Sequence, residues 1–286
     1  MLKLRDGVVE LYRKVATSIP NDVEEALKKA YENETNQISR TALEIILKNI
    51  SFARTSSRPI CQDTGFPVFY VKTPRGLSQS LIMEVINDAT RIATRKIPLR
   101  TNAIDTLTDN NTGDNTGFLF PLIHIDETEE EHFNVELLLL GGGSENIGQT
   151  YKLPALINID GKEFIAERNL EGARKCIFDA IFKAQGKACP PYYIGVAVGG
   201  SKEQTAFLSK RQLMRRINDE NPIAELNTFE KDLLQEINRI GIGVAGFGGN
   251  NTAMGLKIAL AARHPASYIV DISFSCWAMR RGRLIW

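Results

Sequence analysis

The chain has 286 residues, 43% of them hydrophobic, and a formal net charge of +1 at neutral pH. This length and composition support a sizeable buried core, and the balanced charge argues against nucleic acid or an anionic membrane as the partner. No apolar run is long enough to span a bilayer, and the N-terminus is typical of an amphipathic helix rather than a signal peptide. Four cysteines are too few for a disulfide scaffold, so a cytoplasmic location is expected.

Apolar spacing predicts three helices in the first 55 residues. The first helix places four apolar side chains on one face: Leu4, Val8, Leu11 and Val15. The second begins after Pro20, with Asn21 and Asp22 as candidate caps. The third carries a longer apolar stripe, formed by Ala42, Leu43, Ile46, Leu47 and Ile50.

Beyond residue 55 the pattern alternates between strand and helix. Strands are predicted at 67–71, 118–125, 132–140, 192–198 and 268–274, the last of these being the final strand of the chain. Helices are predicted at 81–92, 169–185, 202–214 and 227–240, with Asn227 and Glu230 forming a capping box. The polar stretch 101–117 is predicted to be an ordered loop of the kind that often carries function.

These elements predict an α/β fold in a single domain of residues 1–286. A helical region of about 1–55 is followed by an α/β region of about 56–286, which contains a mixed sheet with flanking helices.

Three cysteines lie in distant segments, each beside a turn signal or a polar cluster: Cys61, Cys189 and Cys276. Taken singly, each could be an ordinary buried thiol, but the three contexts together favour metal ligands at strand or loop ends. Three thiolates can hold an iron–sulfur cluster and leave one iron open as a Lewis acid. Zinc sites usually use close C-x-x-C pairs, which this chain lacks. Cys176 lies on an apolar helical stripe and is predicted to be a buried structural thiol.

Two glycine-rich stretches require different interpretations. Residues 241–246 match the dinucleotide-binding fingerprint, but that motif follows a strand and opens a helix, whereas here it follows a predicted helix. We therefore expect a loop whose backbone can approach a ligand closely. The run 141–146 could be a simple turn, yet three consecutive glycines favour backbone N–H groups directed at a carboxylate.

Several basic side chains are candidates for polar chemistry. His264 could be a surface histidine, or it could lie near a carboxylate such as Asp63 and transfer protons, because the following strand could return to the same edge. Arg100 opens the polar loop, where it could be merely solvated or could bind a carboxylate through two hydrogen bonds. Arg280 and Arg281 could do the same or offset negative charge near a cluster.

Several of these motifs together resemble those of class I fumarate hydratases. They are Cys61-Gln62-Asp63-Thr64-Gly65, Arg100-Thr101-Asn102 with the polar segment 111–117, the glycine run 141–146, Cys189-Pro190-Pro191 and the Cys276 segment. The resemblance spans nearly the whole chain in the correct order. It is strongest to the separate alpha subunit of two-subunit enzymes, a group that includes L-tartrate dehydratase.

The resemblance implies an oxygen-sensitive [4Fe-4S] cluster bound by Cys61, Cys189 and Cys276, whose open iron binds the hydroxyl and one carboxylate of a dicarboxylate substrate. It implies substrate contacts from four residues: Gln62, Asp63, Arg100 and Gly143. Asp63 and His264 would form the proton-donating pair. A separate beta subunit would complete the active site, including the base for the C3 proton, in a dimer of heterodimers. The sequence departs from the family pattern at Asn250, where members often have lysine.

The function expected from the sequence is reversible hydration of fumarate to (S)-malate, with dehydration of L-tartrate or a related hydroxy diacid as the alternative. In this resemblance, the stretch 143–146 is more similar to fumarases, whereas 263–265 and 276–278 are more similar to tartrate dehydratases. Two other classes of function stay open: a redox protein with Cys176 as the fourth cluster ligand, and a module that senses diacids without turning them over.

Overall fold

A computed structural model describes residues 2–286, so Met1, which the first predicted helix included, lies outside the described residues. The chain forms two compact units. The first unit contains residues 2–20, 48–142 and 278–286, and the second contains residues 21–47 and 143–277. The single domain expected from the sequence stays a prediction.

Three helices come first in the chain, and strands and helices are interspersed beyond Phe66. The helices are α1 (Leu2–Thr17), α2 (Asn21–Asn33), α3 (Gln37–Ser56), α4 (Gln79–Lys96), α5 (Gly142–Ile147), α6 (Leu170–Ala184), α7 (Lys202–Gln212) and α8 (Ala224–Arg239). The strands are β1 (Phe66–Pro74), β2 (Leu122–Thr128), β3 (Asn134–Leu140), β4 (Gln149–Lys152), β5 (Ala155–Ile159), β6 (Lys162–Ala166), β7 (Tyr192–Gly199), β8 (Ala253–Ala261), β9 (Ile269–Ser275) and β10 (Arg280–Ile285).

The first unit is built on a four-stranded sheet with the order β10-β3-β1-β2. Strands β1 and β2 are parallel, and the other neighbours are antiparallel. Helices α1 and α4 pack on one face of this sheet through their apolar stripes, and together they enclose the core of the unit. Gly282 of β10 lies directly under α1, because a Cβ at this position would come within 2.6 Å of Val15.

The second unit is built on a four-stranded sheet with the order β4-β9-β7-β8, in which β7 and β8 are parallel and β9 is antiparallel to both of its neighbours. Strand β7 is buried along its whole length because helices cover both faces. Ile194 and Val196 face the core shared with α6 and α8. Gly195 faces α7, so closely that a Cβ would come within 2.1 Å of the Ser209 carbonyl oxygen.

The predicted α/β fold class is confirmed, although the strands divide among two four-stranded sheets and the separate antiparallel pair β5-β6. The helices predicted from apolar spacing are present, and β7 ends at the predicted glycines. Among residues 2–286, no helix combines the length and the apolar character that crossing a membrane requires.

Two predicted strand assignments are wrong in detail. The strand predicted at 118–125 begins only at Leu122, because Phe118 and Leu119 belong to a turn and are 96% and 69% exposed. The strand predicted to be last, β9, is followed by β10, which pairs with β3 in the first unit's sheet.

The capping box predicted for Asn227 and Glu230 is also wrong. Helix α8 begins three residues earlier, at Ala224, and Glu230 is buried in its second turn. The Glu230 carboxylate accepts hydrogen bonds from the Ile258 N–H and from the Asn221 amide, both at 2.7 Å. A buried carboxylate needs such partners, and here they come from β8 and from the loop before α8.

Candidate active site

The first unit holds the Cys61–Gly65 segment in a fixed turn between α3 and β1. Just before it, Ile60 donates its N–H to α1 at 3.1 Å and accepts a hydrogen bond from Asn49 at 2.9 Å. At the other end, Gly65 has a φ of +92°, and a Cβ there would lie 2.8 Å from the β3 backbone, so only glycine fits. Three side chains of the segment stay accessible to solvent: Cys61, Gln62 and Asp63.

Asp63 is oriented by backbone groups from two directions. Its Oδ1 accepts the Gly65 N–H at 2.9 Å, and its Oδ2 accepts the Gly142 N–H at 2.8 Å. The carbonyl oxygen of Asp63 accepts a hydrogen bond from the Arg280 guanidinium at 2.6 Å. Arg280 is only 1% exposed, so in this structure it stabilises the Asp63 turn. The glycine run therefore directs an N–H at a carboxylate, and that carboxylate is Asp63 itself.

The polar loop at 101–117 is attached to the same turn through Thr64. The Thr64 hydroxyl accepts the Arg100 N–H at 3.1 Å, and the Asn102 amide donates to the Gly65 carbonyl at 3.1 Å. Buried Asn115 donates to the Arg100 carbonyl at 3.0 Å and accepts the Asn102 N–H at 2.6 Å. These contacts fix the Arg100 backbone, while its side chain is exposed. The first unit thus brings Asp63 and the Arg100 segment onto one connected framework.

The second unit places Cys189 and Cys276 at the same edge of its sheet. Cys189 precedes β7 and Cys276 follows β9, and the antiparallel pairing of these strands aligns Tyr193 with Ser275. The two segments are linked directly, because the Trp277 N–H donates to the Cys189 carbonyl at 3.2 Å. Cys189 is exposed and Cys276 is half-buried, so both thiols are accessible at this edge.

Tyr192 holds the turn that presents Cys189. Its hydroxyl donates to the Gln185 carbonyl at 2.7 Å and accepts the Ala188 N–H at 3.3 Å. Burial is the main cause that raises the pKa of Tyr192 to about 12; the Ala188 N–H acts in the opposite direction, and the nearby Cys189 and Cys276 add to the increase. Cys189 itself has a φ of +54°, a left-handed conformation that few non-glycine residues adopt. Sequence reasoning missed the role of Tyr192, because an irregular turn of this kind has no periodic signal.

Gly143 lies in the second unit beside the Cys189 turn. A Cβ at Gly143 would lie 3.8 Å from Ala188, the residue before Cys189. The stretch 142–147 forms the short helix α5, so the glycine run is not a simple turn between strands.

His264 does not lie at the edge that carries the two cysteines. It precedes β9, whereas Cys276 follows it, and seven strand residues at about 3.3 Å each separate the two ends by about 20 Å. The expectation that this strand returns His264 to the same edge is therefore wrong. The imidazole is exposed, and its Nδ1 accepts the Ala266 N–H at 3.1 Å. The proton-transfer role of His264 stays a prediction.

The remaining sequence predictions concern Cys176, the 241–246 stretch and Asn250. Cys176 is fully buried on α6, as predicted. The 241–246 stretch follows helix α8 and forms a short turn at Val244–Gly246, which agrees with its rejection as a dinucleotide-binding motif. Asn250 is exposed and donates its N–H to Glu34 at 3.2 Å.

Among residues 2–286, no three His, Cys, Asp or Glu side chains form a ready-made metal group. The accessible thiols of Cys189 and Cys276 at one sheet edge nevertheless suit a thiolate-bound cluster, and the accessible Cys61 in the first unit has the same chemistry.

Comparison with known proteins identifies the family. The sequence model of the family described as "Fumarate hydratase (Fumerase)" matches residues 5–284. The chain belongs to the fumarate hydratase family. The resemblance recognised in the motifs is thereby confirmed.

Three relatives define its place in this family more closely. A protein of Geobacillus stearothermophilus named "Putative fumarate hydratase class I" is 40% identical over 283 residues, which are 98% of this chain and 54% of that protein. A protein of Methanocaldococcus jannaschii named "Putative L(+)-tartrate dehydratase subunit alpha" is 36% identical, covering 98% of this chain and 96% of that protein. The "L(+)-tartrate dehydratase subunit alpha" of Escherichia coli K12 is 33% identical, covering 99% and 90%.

The chain therefore spans about half the length of the G. stearothermophilus protein but nearly all of the two alpha subunits. The reactions that these names describe are hydro-lyase reactions, so this is a hydro-lyase family.

Proposed function

We propose that this chain is the alpha subunit of a hydro-lyase that reversibly hydrates fumarate to (S)-malate. The observation that supports it most directly is the common sheet edge of Cys189 and Cys276, whose segments share a backbone hydrogen bond. Accessible thiols in this arrangement fit cluster ligands better than structural cysteines, which are normally buried. The family match supports the class of reaction.

Cys61, Cys189 and Cys276 are the proposed ligands of a [4Fe-4S] cluster. Such a cluster supplies an iron without a protein ligand, which acts as a Lewis acid toward a substrate hydroxyl. Cys176 is a poor candidate for a fourth ligand, because it is fully buried in the second unit's core. Burial, followed by the nearby Asp179, raises the pKa of this thiol to about 12, which disfavours the thiolate that a metal needs.

The proposed substrate contacts are those that the family resemblance gave, namely Gln62, Asp63, Arg100 and Gly143. Arg100 suits a substrate carboxylate, because its backbone is fixed by Thr64 and Asn115 while its guanidinium is exposed. Asp63 is held in one orientation by two N–H donors, which favours proton handling at a defined position. A pairing of Asp63 with His264 rests on the resemblance alone.

L-Tartrate is the second candidate substrate. Two of the relatives compared are named as alpha subunits of L(+)-tartrate dehydratase, and this chain covers nearly all of each. Dehydration of (S)-malate, the reverse of fumarate hydration, and dehydration of L-tartrate both remove a hydroxyl and a neighbouring proton as water from a four-carbon diacid, so the same assembly could act on either.

Cysteine substitutions test the proposal. We expect Cys61→Ser, Cys189→Ser and Cys276→Ser each to lose most cluster iron and at least tenfold in hydratase activity, since each removes one of three ligands. The chain would be prepared without oxygen together with its partner, and iron, sulfide and turnover of fumarate, (S)-malate and L-tartrate would be measured. Cys176→Ala is the matched control and should keep both cluster and activity. Loss of the cluster in that control would favour the redox alternative, whereas a cluster without turnover of any diacid would overturn the hydro-lyase.

A further inference from the structure

A pocket of about 350 Å³ lies in the second unit beside Gly143. It is lined by Gly143, Asn146, Ile147, Gln149, Lys183 and Lys187. This lining carries two ammonium groups and two side-chain amides but no carboxylate, so it favours an anion with several oxygen atoms. The volume is ample for a small organic diacid.

The two lysines of the pocket have different surroundings. Lys183 donates to Asp179 at 2.6 Å, and the same buried carboxylate oxygen accepts the Tyr151 hydroxyl at 2.5 Å. Lys183 is therefore the counter-ion of a buried acid. The Lys187 ammonium donates only to the Lys183 carbonyl, at 3.1 Å, and no acidic partner pairs with it in the described part of the chain. The charge of Lys187 is consequently available to a ligand.

We propose that this pocket binds a small dicarboxylate and delivers it to the active site, with Lys187 as the main contact and Asn146 and Gln149 as hydrogen-bonding side chains. The inference rests on the proposed function and deepens it. The placement of the pocket supports this proposal. Gly143 forms one wall of the pocket, and a Cβ added at Gly143 would lie 3.8 Å from Ala188, the neighbour of Cys189. A diacid collected here is next to the segment that carries a proposed cluster ligand.

Binding of succinate, an unreactive four-carbon diacid, to the full chain tests the pocket without any need for turnover. By titration calorimetry we expect Lys187→Ala to weaken binding about fivefold to tenfold, as loss of one charge-assisted contact would. Lys187→Glu should weaken it more. Lys175→Ala is the matched control: Lys175 lies on α6, the helix that precedes the Lys187 turn, is outside the pocket, and donates to the Ile165 carbonyl. We do not substitute Lys183, because its removal would leave Asp179 buried without a counter-ion.

Three results would overturn the proposal. The first is that Lys187→Ala binds succinate as tightly as the unmodified chain. The second is that Lys175→Ala weakens succinate binding as much as Lys187→Ala does. The third is that inorganic phosphate binds this pocket and succinate does not displace it.

A kinetic measurement on the complex with its partner separates this inference from the proposed function. Lys187→Ala should raise KM about fivefold and leave kcat within twofold, because the pocket acts before the chemical step. If Lys187→Ala has hydratase activity with an unchanged KM, the role of the pocket is wrong and the proposed function still stands. If the unmodified complex has no hydratase activity, but succinate binding still depends on Lys187, the proposed function is wrong and the binding pocket still stands.

Discussion

Two cysteines of this chain show how strongly surroundings decide the chemistry of one residue type. Cys176 is fully buried among apolar side chains of α6, whereas Cys189 is exposed in a left-handed turn. Burial raises the pKa of the Cys176 thiol to about 12, so it stays neutral in the folded chain at pH values where an unfolded cysteine ionises. A neutral, inaccessible thiol is a poor nucleophile.

We therefore expect Cys189 to react with a thiol reagent in the folded, cluster-free chain at pH 8, while Cys176 reacts only after unfolding. The measurement is mass spectrometry of peptides after alkylation, with and without denaturant. Between about pH 9 and pH 12, Cys176 ionises in the unfolded state but stays neutral in the folded state. A rise in pH over this range therefore lowers the free energy of unfolding. Alkylation of Cys176 in the native chain at a rate similar to Cys189 would contradict this assignment.

At this scale, the sequence was informative where a residue belongs to a periodic pattern. The burial of Cys176 follows from its place on an apolar helical stripe. The role of Glu230 could not be predicted in this way, because its N–H partner, Ile258, is 28 residues away on β8. A local capping pattern matched the sequence, but the tertiary contact determined the outcome.

Among the elements, the glycine-rich loop that follows α8 is fixed by the end of α2. Glu34 is 2% exposed and accepts the Asn250 N–H at 3.2 Å and the Asn251 amide at 2.7 Å. At Gly249, a Cβ would lie 2.5 Å from the Glu34 carboxylate, and φ is +111°. The loop therefore needs glycine at position 249 so that the buried Glu34 carboxylate can pack against it.

Gly249→Ala should destabilise the chain by about 2–4 kcal/mol, since it adds a clash with a buried, hydrogen-bonded group to the strain of a positive φ. Gly76→Ala is the control: Gly76 also has a positive φ, of +80°, but no atom lies within 4 Å of the added Cβ. It should cost only about 1 kcal/mol. Denaturant unfolding of both variants measures the difference, and equal costs would show that the Glu34 contact is unimportant.

The sequence predicted this loop only in part. Its position after a helix excluded dinucleotide binding, and the structure agrees. The partner could not be found, because Glu34 lies more than 200 residues before the loop, and one sequence carries no signal for such a pair.

For the whole molecule, apolar periodicity predicted the α/β class but not the division into two units. The strand β10 joins the sheet of the first unit although it comes last in the chain, because Arg280 pairs with Leu139 of β3 and its guanidinium binds the Asp63 turn. The sequence Arg280-Arg281-Gly282 has no strand-like alternation, so neither the strand nor its long-range partner could be predicted. The three cysteines proposed as cluster ligands were selected from their local contexts alone, and their role as ligands stays a prediction.

The last prediction concerns the partner. Relatives that this chain covers almost fully are named as alpha subunits, so the proposed function predicts that residues of a second chain complete the active site. We expect the chain alone, with its cluster assembled without oxygen, to turn over fumarate and L-tartrate at least about 100-fold more slowly than the chain co-expressed with a beta subunit. The reason is that missing substrate contacts reduce transition-state stabilisation.

To compare the two preparations, each is purified through an affinity tag on this chain and then assayed. A Cys176→Ala chain should recover activity with the partner as the unmodified chain does. Full activity of the chain alone would show that its own residues suffice. If the beta subunit does not co-purify with the tagged chain, the proposed heteromer is wrong.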